Sequence, residues 1–153
     1  MFRKGSAKLR KVILVGAGNL GFRYLQGLSK VSKPLSVTIV DPSAERINYA
    51  FQWWRGQQNL GHHIFDAASS PQTGLDVDHA DIVISATTAN VRPESLAALA
   101  DDVTVDIWLM EKILAQSEKG LADLQRLIEP HGKAFVNTPR RAMIWYADIA
   151  EAL

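Results

Sequence analysis

The chain of 153 residues contains no cysteine. Disulfides, thiolate metal sites and a cysteine nucleophile are therefore excluded. Nor does it contain an apolar run that approaches the length of a transmembrane helix. Neither sign of charge dominates, since 17 basic residues oppose 16 acidic ones for a net charge of +1. That balance gives no reason to expect nucleic acid or an anionic membrane as a partner. The signatures G-x-S-x-G and H-E-x-x-H are missing. The four histidines, His62, His63, His79 and His131, are not clustered as metal ligands would be. His62 and His63 adjoin at an expected strand start, where neighbours point to opposite faces, and no metal site is expected. The basic start (Arg3, Lys4, Lys8 and Arg10, with Lys11 at its border) and the apolar Val12–Ala17 mimic a signal peptide. The apolar run is too short for one and passes straight into glycines. Residues 1–10 read as a solvated basic tail, and a cytoplasmic protein is the default expectation. A single domain over residues 11–153 fits this length, which can bury a substantial core without staples.

What the chain does have is K-V-I-L-V-G-A-G-N-L-G at Lys11–Gly21. An apolar run, Val12–Val15, leads into Gly16, Gly18 and Gly21, and a helical segment from Asn19 to about Leu28 follows. This is G-x-G-x-x-G after a strand and opening a helix. Gly16 permits the tight turn, Gly18 lets a pyrophosphate approach the backbone, and Gly21 allows close helix–strand packing. The free N–H groups at the start of that helix, in the segment Gly16–Asn19 and at Leu20, would bind the phosphates. Asp41 stands twenty residues after Gly21, at the end of a second apolar run, Val37–Val40. An acid there can accept hydrogen bonds from the ribose hydroxyls of NAD. It predicts NAD over NADP, because a 2′-phosphate would face a carboxylate, with Arg46 near enough in sequence to soften the preference. The other reading of Asp41 is a helix cap.

The remaining pattern repeats the strand–helix alternation about six times. Asp41-Pro42-Ser43 opens a helix to about Trp54, with Ile47, Ala50, Phe51 and Trp54 on one side. His62–Phe65 reads as a short third strand followed by Asp66, and Ser69–Gly74 as a polar loop. Ile82–Ala86 reads as a buried fourth strand and Pro93–Ala100 as a helix. Val103–Met110 is a fifth strand. Ser117–Ile128 is an amphipathic helix whose stripe is Leu121, Leu124, Leu127 and Ile128. Lys133–Asn137 is a sixth strand, and Thr138-Pro139 begins a last helix. The expected fold is α/β, a doubly wound six-stranded parallel sheet with right-handed crossovers.

In such sheets ligands bind beyond the carboxyl ends of the strands. Polar residues collect there: Gly16–Asn19, Asp41, Asp66, Thr87–Asn90, Glu111–Lys112 and Asn137–Arg141. Thr87 and Thr88 could bond the nicotinamide end of a cofactor or serve as strand-end and helix-cap residues. Lys112 could polarise or deprotonate a substrate hydroxyl if its surroundings tuned it for base work. Spacing alone favours a surface lysine paired with Glu111 or Glu118. Trp53-Trp54 and Trp145-Tyr146 read as packing or interface aromatics. Met143–Tyr146 are more consecutive bulky residues than one helix face can bury, which predicts a homo-oligomer or another partner.

At Glu111-Lys112 the pattern resembles the N-terminal nucleotide-binding domain of the glucose–fructose oxidoreductase / inositol dehydrogenase (Gfo/Idh/MocA) family. The resemblance runs from Val12 to about Tyr146. It rests on G-A-G-N-L-G at Gly16–Gly21, Asp41, D-I-V-I-S-A-T-T at Asp81–Thr88, L-M-E-K-I at Leu109–Ile113 and F-V-N-T-P-R-R at Phe135–Arg141. It implies an NAD(P)-binding Rossmann fold and hydride transfer between a nicotinamide cofactor and a sugar or polyol hydroxyl. It implies Lys112 as the catalytic residue, Glu111 near the nicotinamide and Asp41 on the adenosine ribose. Gly16, Gly18, Asn19, Leu20, Thr87, Thr88 and Asn90 complete the expected cofactor site. Ile113 replaces the family's proline after the lysine. T-T-A-N-V-R at Thr87–Arg92 replaces T-P-N-x-x-H, with Asn90 one place late and Arg92 for the histidine. No segment here supplies the family's second domain, mainly an antiparallel sheet that carries much of the substrate site. Two expectations follow. One is a dehydrogenase's nucleotide-binding domain that works with a further domain or subunit. The other is a stand-alone NAD-binding module or sensor without catalysis of its own.

Overall fold

The structure, a computed structural model, describes residues 9–58, 60–71, 75–139 and 151. The elements run β1 (Arg10–Val15), α1 (Asn19–Leu28), β2 (Leu35–Val40), α2 (Ala44–Arg55), β3 (Ile64–Ala68), β4 (His79–Ser85), α3 (Arg92–Ala100), β5 (Thr104–Glu111), α4 (Glu118–Ile128) and β6 (Lys133–Asn137). All strand pairs are parallel, in the order β3-β2-β1-β4-β5-β6. This is the doubly wound order, and it reverses direction between β1 and β4.

The missing polar alternation in β1 has a direct cause. Ile13 and Val15 pack with Leu96, Leu99, Trp108 and Leu124 on the α3–α4 face. Val12 and Leu14 pack with Leu25, Val37, Ile39, Ala50 and Trp54 on the α1–α2 face. Both faces are covered from Val12 to Val15, so each of these four positions is apolar. Burying one such side chain stabilises the fold by about 1.5–3 kcal/mol. Trp54 stacks on Phe65 at 4.7 Å, and Trp53 meets Phe22 edge-on at 5.1 Å, so this tryptophan pair serves packing.

Several boundaries differ from the sequence reading. β1 begins at Arg10, whose guanidinium reaches Asp81 at 2.6 Å while the Lys11 N–H donates to the same carboxylate at 2.8 Å. In α2, Ser43 is the N-cap and accepts from the Arg46 N–H, so Pro42 precedes the helix. Asp41 is not the N-cap; its carboxylate accepts from the Ser43 and Ala17 N–H groups. β3 starts at Ile64, because His62 and His63 belong to a turn in which His63 Nδ1 accepts from the Leu35 N–H at 3.1 Å. Asp66 therefore lies inside the strand and accepts from the Ala67 N–H, so it is no strand-end residue. In α4 only Leu124 of the expected stripe is fully buried, and Leu121 is exposed. The helix expected after Pro139, Met143–Tyr146 within it, and residues 1–8 lie outside the described residues. No helix among the described residues is long and apolar enough to cross a membrane.

Candidate functional site

The carboxyl ends of β1, β2 and β4 are level, with Val15 opposite both Val40 and Ser85. The strand ladders continue one bond further. The Gly16 N–H donates to the Val40 carbonyl and the Ala86 N–H to the Val15 carbonyl, both at 2.8 Å. The loops after the three strands are thereby drawn around one opening. Gly16 sits there at φ 97°, where an L side chain is strained, close against the Ala86–Thr87 backbone. A Cβ built on Gly21 would lie 1.8 Å from the Gly16 carbonyl oxygen, so the helix can approach the loop only with glycine at that position.

The opening leads into a cleft of about 760 Å3. Gly16, Gly18, Asn19, Leu20, Asp41, Thr87, Thr88, Glu111 and Lys112 all line it. Of the residues the sequence assigned to the site, Asn90 is the exception. The Val91 and Arg92 N–H groups close a turn on the Thr88 carbonyl, and Asn90 is left exposed outside the cleft wall. Sequence reading missed Ser69–Pro71 and the start of α3 as further walls. A larger groove of about 1290 Å3 lies between α1 and α2, away from Thr87, Glu111 and Lys112.

Asp41 is 2% exposed. One carboxylate oxygen accepts from the Ala17 N–H at 2.7 Å and the other from the Ser43 N–H at 2.8 Å. The acid thus ties the glycine loop to the end of β2. Each oxygen keeps a further lone pair. Arg46 Nη1 stands 3.6 Å from the first of them.

The first residues of α1 donate to no carbonyl within the helix. Gly18 is its N-cap without a side-chain cap, and no acidic residue occupies the first turn. A Cβ on Gly18 would meet nothing within 4 Å, so the glycine leaves space directly before these amides. An open, uncapped helix start facing a cleft fits an anionic pyrophosphate. The residues present therefore suit a dinucleotide.

On the β4–β5 side, Thr87 Oγ1 lies 3.1 Å from Ser85 Oγ, a strand-end role for that hydroxyl. Glu111 is buried, and one of its oxygens accepts from the Tyr24 hydroxyl and from Asn137 Nδ2, the latter at 2.6 Å. Asn137 also donates to the Tyr24 oxygen at 2.7 Å. This triad joins α1, β5 and β6. Burial, then the hydrogen bond to Glu111 and its negative charge, push the Tyr24 phenol well above its usual range, while Asn137 opposes the shift. Lys112 is exposed at the rim. Among the described residues it forms no ion pair with Glu111 or Glu118. The Lys112–Ile113 peptide is cis. Tyr24 and Arg92 are the polar residues of this side that sequence reading did not assign to the site. No residue spacing links Tyr24 to Glu111. Arg92 showed only as the residue standing where the resembled family has a histidine, with no role assigned to it.

No protein-family model and no curated protein matches the chain. Solved structures do. The chain is similar to myo-inositol 2-dehydrogenase from Lactobacillus plantarum, with TM-score 0.70 and 16% identity over 94% of this chain and 40% of that one. It is similar to myo-inositol dehydrogenase from Lactobacillus casei, solved with NAD(H) and myo-inositol, with TM-score 0.70 and 18% identity over 95% and 41%. An oxidoreductase from Desulfitobacterium hafniense named as NADPH-dependent gives TM-score 0.70 and 12% identity over 95% and 39%. The chain spans about two-fifths of the length of these proteins. At such identities the likeness is one of fold: two of these three neighbours are inositol dehydrogenases, and the chain shares the α/β Rossmann-like fold of all three.

Proposed function

We propose that the cleft binds NAD(H) and that the chain is the nucleotide-binding domain of an oxidoreductase acting on a sugar or polyol hydroxyl. The observation that carries this reading is the convergence of the uncapped, side-chain-free start of α1, Asp41, and Glu111–Lys112 on one cleft. In this reading Gly18 and the amides of Asn19 and Leu20 hold the pyrophosphate. The spare lone pairs of Asp41 hold the adenosine ribose and disfavour a 2′-phosphate. Thr88 and Glu111 flank the nicotinamide side. A bound nicotinamide supplies the hydride acceptor or donor. Lys112 binds the substrate hydroxyl and takes or returns its proton. A further domain or a second subunit completes the substrate wall, in the cytoplasm.

Titration with NADH and NADPH, followed by nicotinamide fluorescence, tests the reading. NADH should bind more tightly, and both Gly18→Val and Asp41→Ala should abolish binding in chains shown to be folded. No binding of either cofactor to the wild type at roughly millimolar concentration, about −4 kcal/mol, would sink it. The exposure of Lys112 at the rim favours a second reading, a dinucleotide module without its own hydride transfer. Lys112→Ala separates the two: polyol-dependent NADH formation, reconstituted with the completing subunit, is lost in the first, whereas in the second there is none to lose.

A further inference from the structure

Arg92 is 1% exposed and stands at the first position of α3, where the positive end of a helix disfavours a cation. A buried guanidinium is tolerated only when its donors are matched. Here Nε donates to Ser85 Oγ at 3.2 Å, Nη2 to the Thr87 carbonyl at 2.6 Å, and Nη1 to the Ile113 and Leu114 carbonyls at 2.6 and 2.7 Å. These acceptors are neutral oxygens from two different loops. Ser85 and Thr87 end β4; Ile113 and Leu114 follow β5. Ile113 is 74% exposed, so burial of its side chain does not fix the turn that carries Lys112. Leu114 and Ala115 pack against the core just after it, and the guanidinium bonds hold the Ile113 and Leu114 carbonyls beside them. Burial lowers the tendency of Arg92 to hold its proton, and the negative charge of Glu111 opposes that.

A planar fork with donors on both edges can bridge the two loops. An ammonium presents its donors from one nitrogen and lacks the spread of this fork. We infer that Arg92 is the positioning residue of the β4–β5 half of the cleft, setting the separation of the Thr87–Thr88 and Glu111–Lys112 loops and so the seat of the nicotinamide. This rests on the cleft being a dinucleotide site.

The test compares NADH with ADP-ribose, which shares the adenosine and pyrophosphate but lacks nicotinamide. Calorimetric titration of Arg92→Lys should show NADH weakened by roughly tenfold, the scale of one charge-assisted hydrogen bond, with ADP-ribose changed by less than about twofold. A general loss of structure would weaken both ligands alike, and that result, or no change in either, overturns the inference. Wild-type chain that binds neither ligand overturns the dinucleotide reading and this inference with it. Should Arg92→Lys fail to fold, nitrogen-15 NMR of the wild type decides. The Arg92 Nε–H resonance should be protected from solvent exchange and shift with NADH but not with ADP-ribose; a resonance indifferent to NADH overturns the role.

Discussion

On the β1–β2 side of the cleft the backbone does most of the positioning. Gly16, Gly18 and Gly21 shape the loop, and Asp41 fastens it through the N–H groups of Ala17 and Ser43. On the β4–β5 side the work falls to side chains. Arg92 spans two loops, and Tyr24, Glu111 and Asn137 lock three elements together. A backbone cradle depends on what is absent, a Cβ, and it suits a ligand of constant shape such as a pyrophosphate. A side-chain network depends on what is present, and it can change from one chain to another while the sheet beneath it stays the same. The difference predicts that single substitutions fail differently on the two sides.

The largest effect is expected where backbone meets backbone. Gly21→Ala would place a Cβ 1.8 Å from the Gly16 carbonyl oxygen. Neither atom is on a flexible side chain, so α1 must move off the loop. We expect a loss of about 3 kcal/mol or more in urea unfolding. Gly132→Ala, at φ 68° with a Cβ 2.1 Å from the Asp106 carbonyl oxygen, should cost as much on the other side of the sheet. Gly18→Val should leave the urea midpoint nearly unchanged, since its Cβ meets open space. Equal destabilisation at Gly18 and Gly21 would break the division between a glycine kept for packing and one kept for a ligand.

A smaller effect is expected in the triad. Tyr24→Phe removes a donor to the buried Glu111 and leaves Asn137 as its remaining partner there. The expected cost near pH 7 is about 1–2 kcal/mol. Its pH dependence has a definite sign. The Tyr24 phenol holds its proton more tightly folded than unfolded. Its contribution is therefore complete below the unfolded value of about 10 and is lost as pH rises through the higher folded value. Urea unfolding from neutral pH upward should show the wild-type advantage shrinking beyond about pH 10. An advantage that grows with alkalinity would mean that Tyr24 is not tied to Glu111.

The contrast also explains what could be read from the chain without its structure. The glycine motif and Asp41 act through backbone geometry at fixed sequence spacing, so they were legible. The buried strands β1 and β4 were legible too, because Val12–Val15 and Ile82–Ile84 are covered on both faces and lack polar alternation. β3 was misplaced because it is an edge strand whose exposed residues alternate, with Asp66 inside it, and because a histidine turn precedes it. Gly132 reads in sequence only as a helix stop, yet the approach of Asp106 requires it. The Tyr24–Glu111 and Tyr24–Asn137 pairs are 87 and 113 residues apart, and no local pattern announces them. Arg92 shows in the sequence only as a departure from the resembled family's histidine, with no role attached. Only the approach of the β4 and β5 loops makes it a buried tie.

The smallest effect belongs to the opposite end of the sheet, and it tests whether side-chain ties matter wherever they occur. Arg10 reaches Asp81 at 2.6 Å, but the arginine side chain is 58% exposed while that of the aspartate is 6% exposed. Water screens such a pair, and the Lys11 N–H continues to satisfy Asp81 when the arginine is gone. Arg10→Ala should therefore lower stability by no more than about 1 kcal/mol. The loss should shrink further in roughly 1 M salt, where charges are screened within a few ångströms. NADH affinity should not change, because the amino ends of β1 and β4 lie a full strand length from the cleft. A loss as large as that of Tyr24→Phe would mean that burial of the acceptor alone sets the strength of these ties. Screening of the exposed donor would then not be what separates this pair from the network at the cleft.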